Sequence, residues 1–356
     1  MASTNGTHLE EGGSSPHRIL LVSVPRTASN LLLKVMNIHN QPKVFTNERA
    51  GYSFDDAFVS VTNGERLVRP ICQWMEPEKR EVQSALQTCL DKLEEGSALA
   101  RKAGKIYFNK EHGYEFANPA SVDKILHGNP NVKYLDTFRL RAPLAYGTTQ
   151  TFGPLNETVL PDEYLRTWRI SFIIRHPALA WPSGYRSISK MAAAGTGYLA
   201  SKELQLITKT FHWTRILYDW CLEQPGVSKA PPVLDAHDLI HSPQVVRLFC
   251  EQIGLDTSVL QYEWGQKDPE SKSESQTSVG LDSEDDREVK RFAIALSTLK
   301  ASNGILKSKA PESINVATEV EKWKTEFGFE VAAMIEKSVW ESMSDYEYLK
   351  ARRVTV

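Results

Sequence analysis

The chain has 356 residues, enough to bury a large core as one α/β domain or two small ones. Hydrophobic residues make up 41% and charged residues 24%, the proportions of an ordinary soluble globular protein. A net charge of −2 provides no global attraction to nucleic acid or to an anionic membrane, and no 18-residue apolar run exists to span one. Cys72, Cys89, Cys221 and Cys250 lie far apart and form no C-x-x-C pair, which argues against a metal cage and for reduced thiols in a cytoplasmic protein.

Residues 1–16 are mostly Ser, Thr, Gly and acidic, which predicts a disordered tail and no signal peptide. Ile19–Ser23 is apolar nearly throughout, as a parallel strand covered on both faces would be. Pro25 ends it, and Thr27, Ala28, Ser29 and Asn30 open a helix whose apolar run follows at Leu31–Leu33. Lys43–Phe45 is a short strand candidate. Pro77–Ala103 reads as a long charged helix closed by Gly104, with Gly96 as a point where it could break in two. Lys105–Asn109 reads as a strand, and Val132–Tyr134 as a further short one. Pro143–Pro161, rich in Gly, Thr and Pro, reads as a loop or lid over the fold. Arg169–Ile174 is the second strong buried strand, with Pro177 starting the next helix. Phe211–Glu223 is helical, Val233–Leu234 a short strand, and Pro243–Ile253 a helix ending at Gly254. Residues 266–287 are Ser-, Glu- and Asp-rich, the composition of a mobile surface segment. Ala317–Arg352 reads as amphipathic helix. Strand-like runs alternating with helical ones argue for an α/β fold with a parallel sheet.

The first strand–turn–helix is suited to an anion, because unpaired backbone N–H groups point at the turn and Arg26 adds a fixed positive charge. The same pattern also suits a well-capped helix after a buried strand. It is neither a G-x-x-x-x-G-K-[ST] phosphate loop nor a G-x-G-x-x-G dinucleotide turn, so kinase and dehydrogenase functions lose their main support. A second segment, Ile170–Ser187, ends its strand at Arg175 and carries Ser183 eight residues on, about two helical turns along. A cation at a strand end and a hydroxyl on the following helix can hold a second phosphate on the same sheet edge.

Together the two segments resemble the 5′-phosphosulfate loop and the 3′-phosphate motif of sulfotransferases, with Arg175, Pro177, Ser183 and Tyr185 matching the second motif. Val233–Leu255 resembles the family's later strand, acidic-Leu turn and Pro-started helix. The resemblance covers roughly Arg18–Leu255. It implies a three-layer α/β fold of the P-loop-like sulfotransferase kind, a parallel sheet flanked by helices with further helices at the C-terminus, as one domain over 17–356. The sequence departs from the family pattern where Arg26 replaces lysine, Ala28 replaces glycine and Leu31 replaces an aromatic. Lys307 and Lys309 are the nearest substitutes for its Arg-Lys-Gly element.

The resemblance implies sulfuryl transfer from 3′-phosphoadenosine 5′-phosphosulfate to a hydroxyl of a small hydroxylated or phenolic molecule, a reaction requiring no metal. Arg26, Thr27, Ala28, Ser29 and Asn30 would bind the 5′-phosphate region and Arg175 with Ser183 the 3′-phosphate, Arg26 also stabilising the transferred group. Two residues compete as the base. His112, in Lys110-Glu111-His112, resembles the Lys-Thr-His element of cytosolic members, where lysine assists the sulfuryl group. Glu48 resembles the glutamate after the second strand of Golgi-type members. The residues also leave open a same-fold enzyme with changed acid–base chemistry, such as elimination, isomerisation or cyclisation, and a non-catalytic binding protein.

Overall fold

The computed structural model describes residues 18–128, 132–196, 201–225, 229–265 and 284–356. Within them, β1 (Arg18–Ser23), β2 (Val44–Phe45), β3 (Ile106–His112), β4 (Arg169–Ile174) and β5 (Val233–Asp235) form one sheet in the order β2-β3-β1-β4-β5. Every pairing is parallel. Alternate residues of the central strands enter opposite cores. Ile19, Leu21, Phe108 and Ile173 face the helices Ser29–Val35 and Pro243–Ile253, through residues such as Leu32 and Phe249. Leu20, Val22 and Phe172 face the helices Glu76–Lys102, Pro177–Ala193 and Phe329–Lys350, through Leu90, Trp181 and Ile335. This two-sided burial is why the strands read as continuous apolar runs.

The helix after β1 and the helix after β4 therefore lie on opposite faces of the sheet, while the two strands are neighbours. A crevice must open between their carboxyl ends, where open parallel sheets hold their ligands.

Several expectations change. The long helix runs unbroken over Glu76–Lys102, because Gly96 admits the ring of Tyr107: a Cβ there would lie 2.5 Å from its hydroxyl. Val132–Tyr134 is a single 3-10 turn, with Val132 exposed and, among the described residues, no neighbouring strand to bury it. The C-terminal helix is two, Val316–Phe327 and Phe329–Lys350, parted at Gly328 with φ 84°. The start of 143–161 packs at the amino end of β1, where the Tyr146 hydroxyl donates to Glu94 at 2.7 Å and the Arg18 guanidinium lies 4.7 Å from the Tyr146 ring centre. Further on, Thr158 bridges Ala117 beyond the end of β3, and no residue of 143–161 lines either of the two cavities at the carboxyl edge. The predicted tail 1–16 and residues 266–283 of the predicted mobile segment lie outside the described residues. Residues 284–287 of that segment are helical, opening the helix Glu284–Ala295.

Candidate active site

Two cavities lie at the carboxyl edge of the sheet. The first, about 290 Å³, is walled by the β1 turn, the start of the Pro177–Ala193 helix and residues 295–309. Arg26, Ala28, Ser29, Asn30, Arg175 and Ser183 all line it. The turn that delivers them is strained, since Arg26 and Ala28 both hold positive φ, 69° and 67°, where glycine is the easy occupant. Thr27 is the exception among the anticipated contacts. It is fully buried, and its hydroxyl donates to the Val24 carbonyl at 2.8 Å, closing the turn from inside.

Arg26 donates from Nε to the Ser183 hydroxyl at 3.0 Å and from Nη1 to the Ala295 carbonyl at 2.8 Å. Arg175 donates to the carbonyls of Arg26, at 3.0 Å, and Lys309, at 2.8 Å. Among the described residues no carboxylate lies within 4 Å of either guanidinium. Burial pulls both pKa values down, and Arg175, also facing the charge of Arg26, falls to about 10. Two half-buried like charges donating to neutral oxygens form a site whose electrostatics favour an anion with more than one charge.

The second cavity, about 180 Å³, shares Arg26, Ser29, Asn30 and Ala295 with the first. His112, Tyr52, Tyr114, Trp181 and Phe292 line it, with Arg49, Asp55, Glu115 and Glu288. β3 extends past the predicted Asn109 to His112, which carries Lys110 and His112 inward as buried strand residues. His112 Nε2 lies 3.2 Å from Lys110 Nζ, and Nδ1 lies 2.9 Å from the Ser23 hydroxyl. The ammonium can only donate, so Nε2 accepts and the ring proton sits on Nδ1. Burial, then the Lys110 charge, hold His112 well below the ordinary histidine range, so the ring is neutral at pH 7.

Residues 50–52 steady this end of β3. Tyr52 N–H donates to the Lys110 carbonyl at 2.8 Å and Lys110 N–H to the Ala50 carbonyl at 3.1 Å. The Tyr52 ring then lies 3.5 Å from Lys110 Nζ and edge-on to His112 at 5.5 Å. Glu115 accepts the His112 backbone N–H at 3.0 Å. Burial, then the Glu111 charge, lift the Glu115 carboxyl well above its usual range, and burial lifts Glu111 too. Glu48 is exposed on the loop after β2 and lines neither cavity. Of the aromatics Trp74, Trp181, Phe211 and Trp213, only Trp181 lines the second cavity, and the others pack in the core. Tyr52, Glu115 and Phe292 escape sequence inspection, because the fold gathers them from separate segments with no shared spacing.

A five-stranded parallel sheet flanked by helices, with C-terminal helices and cavities at its carboxyl edge, is consistent with the sulfotransferase class of α/β fold. The chain is 36% identical over 349 residues, 95% of its length and 96% of the relative's, to a protein of Metarhizium rileyi (strain RCEF 4871) described as "Sulfotransferase ppzF". It is 36% identical over 350 residues, 95% of its length and 97% of the relative's, to a protein of the same description from Metarhizium majus (strain ARSEF 297). No protein-family profile and no solved structure matches. The chain belongs to the sulfotransferase family and is a transferase. That membership implies 3′-phosphoadenosine 5′-phosphosulfate as donor and a small acceptor. Among the described residues no helix is long and apolar enough to cross a membrane.

Proposed function

We propose that the chain transfers a sulfuryl group to the hydroxyl of a small hydroxylated or phenolic molecule, with His112 as the base. The observation that carries this reading is the shared wall of the two cavities, where Arg26, Ser29, Asn30 and Ala295 border both. On this reading the donor occupies the first cavity and the acceptor the second, with Arg26 at the junction. The donor supplies the activated group: its bond from sulfur to the 5′-phosphate oxygen breaks with the electron pair leaving on that oxygen, as sulfur joins the acceptor oxygen. His112 takes the acceptor's proton at Nε2 as the Lys110 ammonium, which Nε2 otherwise accepts from, turns to the sulfuryl oxygens. Its neutral state before transfer suits that role, and Lys110, 3.2 Å away, supplies positive charge for the sulfuryl oxygens. Arg26 offsets charge growing on the leaving oxygen, with Ser29 and Asn30 beside it. Arg175 and Ser183 hold the 3′-phosphate, and their guanidinium and hydroxyl donors match its oxygens. Tyr52, Tyr114, Trp181 and Phe292 provide an aromatic lining suited to a phenolic ring.

Labelled donor, offered with a panel of phenols and alcohols, tests the reaction. His112→Ala lowers turnover by about 10²–10⁴-fold, the usual weight of a general base. The nucleotide product still raises its melting temperature, since the donor cavity is intact. Undiminished turnover in the variant removes His112 from the role. No melting shift with the product nucleotide in the parent protein removes the donor assignment.

A further inference from the structure

The structure assigns a transition-metal site outside the reaction centre, and we propose that Zn²⁺ binds there through His237, His241 and Glu312. The short helix Ala236–His241 follows β5 directly, and its two histidines, four residues apart, share one face. Their ring centres are 4.6 Å apart. Glu312, from the chain that returns from the first cavity, faces both. One of its oxygens lies 3.5 Å from His237 Nε2 and the other 3.9 Å from His241 Nδ1. One ligand atom from each residue falls within 4.8 Å of the other two.

The outer partners support this assignment. His241 Nε2 lies 2.7 Å from the Ala310 carbonyl, which can only accept, so the proton sits on Nε2 and the Nδ1 lone pair turns towards Glu312. Metal-binding histidines are held in this way, with the second nitrogen tied to a carbonyl. His237 Nε2 is shielded from water and has no hydrogen-bond partner, while Asp238 lies 3.7 Å from Nδ1 and favours the proton on that side. Two imidazole lone pairs and a carboxylate then point at one small volume. Such a set repels itself and attracts a cation. Two imidazoles with one carboxylate suit Zn²⁺ far better than Mg²⁺ or Ca²⁺, and water completes the tetrahedron.

The bound metal would act on the nucleotide side of the fold. Lys309, three residues before Glu312, lines the first cavity, and its carbonyl accepts from Arg175. Ala310, next in the chain, is buried and holds His241. A metal on Glu312 therefore clamps the segment that walls the donor cavity onto the helix after β5.

The test is titration of the metal-free full chain with zinc chloride, followed by calorimetry and by melting temperature. The expected result is saturable uptake of one equivalent with a raised melting temperature, and no response to magnesium chloride at the same concentration. The double variant His237→Ala/His241→Ala loses this uptake. Glu312→Gln, at an exposed position that leaves folding untouched, weakens it by about 10-fold or more, the scale on which even outer partners alter metal affinity. Absence of saturable uptake by the parent chain overturns the proposal. So does unchanged affinity in either variant, and the Glu312→Gln arm decides the matter if the histidine variant fails to fold.

Discussion

The Ser23 hydroxyl meets His112 Nδ1 at 2.9 Å across the last paired rung of β1 and β3. Ser23 donates its own hydrogen to the Glu111 carbonyl at 3.2 Å, so it accepts from Nδ1–H. The tautomer that keeps the Nε2 lone pair an acceptor, engaged by Lys110, is thus set by the central strand. Ser23→Ala removes this constraint. Turnover is expected to fall about 10-fold, a part of the ~10²–10⁴ a general base supplies, with the donor KM unchanged. Steady-state kinetics at pH 7 check this, and a fall confined to KM contradicts it.

Among the described glycines, Gly51 leaves the least room for a side chain. Its φ is 145°, and a Cβ would stand 2.0 Å from the Lys110 carbonyl oxygen. Gly51→Ala must push the end of β3 aside, and the expected loss is about 3 kcal/mol, near the top of the usual range for one substitution. Gly104→Ala is the control. Its φ is 64° but no atom stands within 4 Å of the added Cβ, so only the backbone cost of about 1–2 kcal/mol applies. Urea unfolding of the two variants should rank them in that order.

Arg175 is assigned to the 3′-phosphate, and this predicts a coupling. The parent protein should bind 3′-phosphoadenosine 5′-phosphate about 10–100-fold more tightly than adenosine 5′-phosphate, the weight of a hydrogen bond to a charged group. Arg175→Gln should erase most of that difference by weakening the first ligand alone. Calorimetry with both nucleotides measures it, and equal weakening of the two ligands refutes the assignment.

Glu115 sets a pH dependence whose sign is opposite to that of a salt-bridged acid. Its carboxyl is raised well above 4.5, so the folded chain holds a proton that the unfolded chain has released. Stability from this group is present below pH 4.5 and is lost as pH rises through the folded value. Glu115→Gln should therefore be more stable than the parent at pH 7 and similar to it near pH 4, with the gap opening as pH rises. The amide oxygen can still accept the His112 N–H. Thermal melts across this range check the trend.

β1 and β4 were legible because both are buried on both faces and so appear as nearly unbroken apolar runs, Ile19–Ser23 and Arg169–Ile174. The helix starts were legible because Pro177 and Pro243 occupy first-turn positions. Boundaries that depend on distant packing were not. Tyr107 decides whether Gly96 breaks its helix, and pairing with Ser23 and residues 50–52 carries β3 through to His112. Gly328 parts two helices in a stretch whose amphipathic pattern continues across it. Arg26, Arg175 and Ser183 could be paired from their strand–turn–helix settings. The second cavity could not, because Tyr52, Glu115 and Phe292 become neighbours only when the sheet and the helix Glu284–Ala295 close on each other.

Ala295 has no reactive atom, yet its carbonyl accepts from Arg26 while its residue borders both cavities. An anion bound at this guanidinium would sit beside a carbonyl that already accepts one of its five N–H groups. The helix Glu284–Ala295 also brings Phe292 and Glu288 to the second cavity, where Glu288 pairs with Arg49 and Phe292 meets the Tyr52 ring edge-on. The two chambers thus share a wall in which one guanidinium of the β1 turn is joined to one backbone oxygen of this helix.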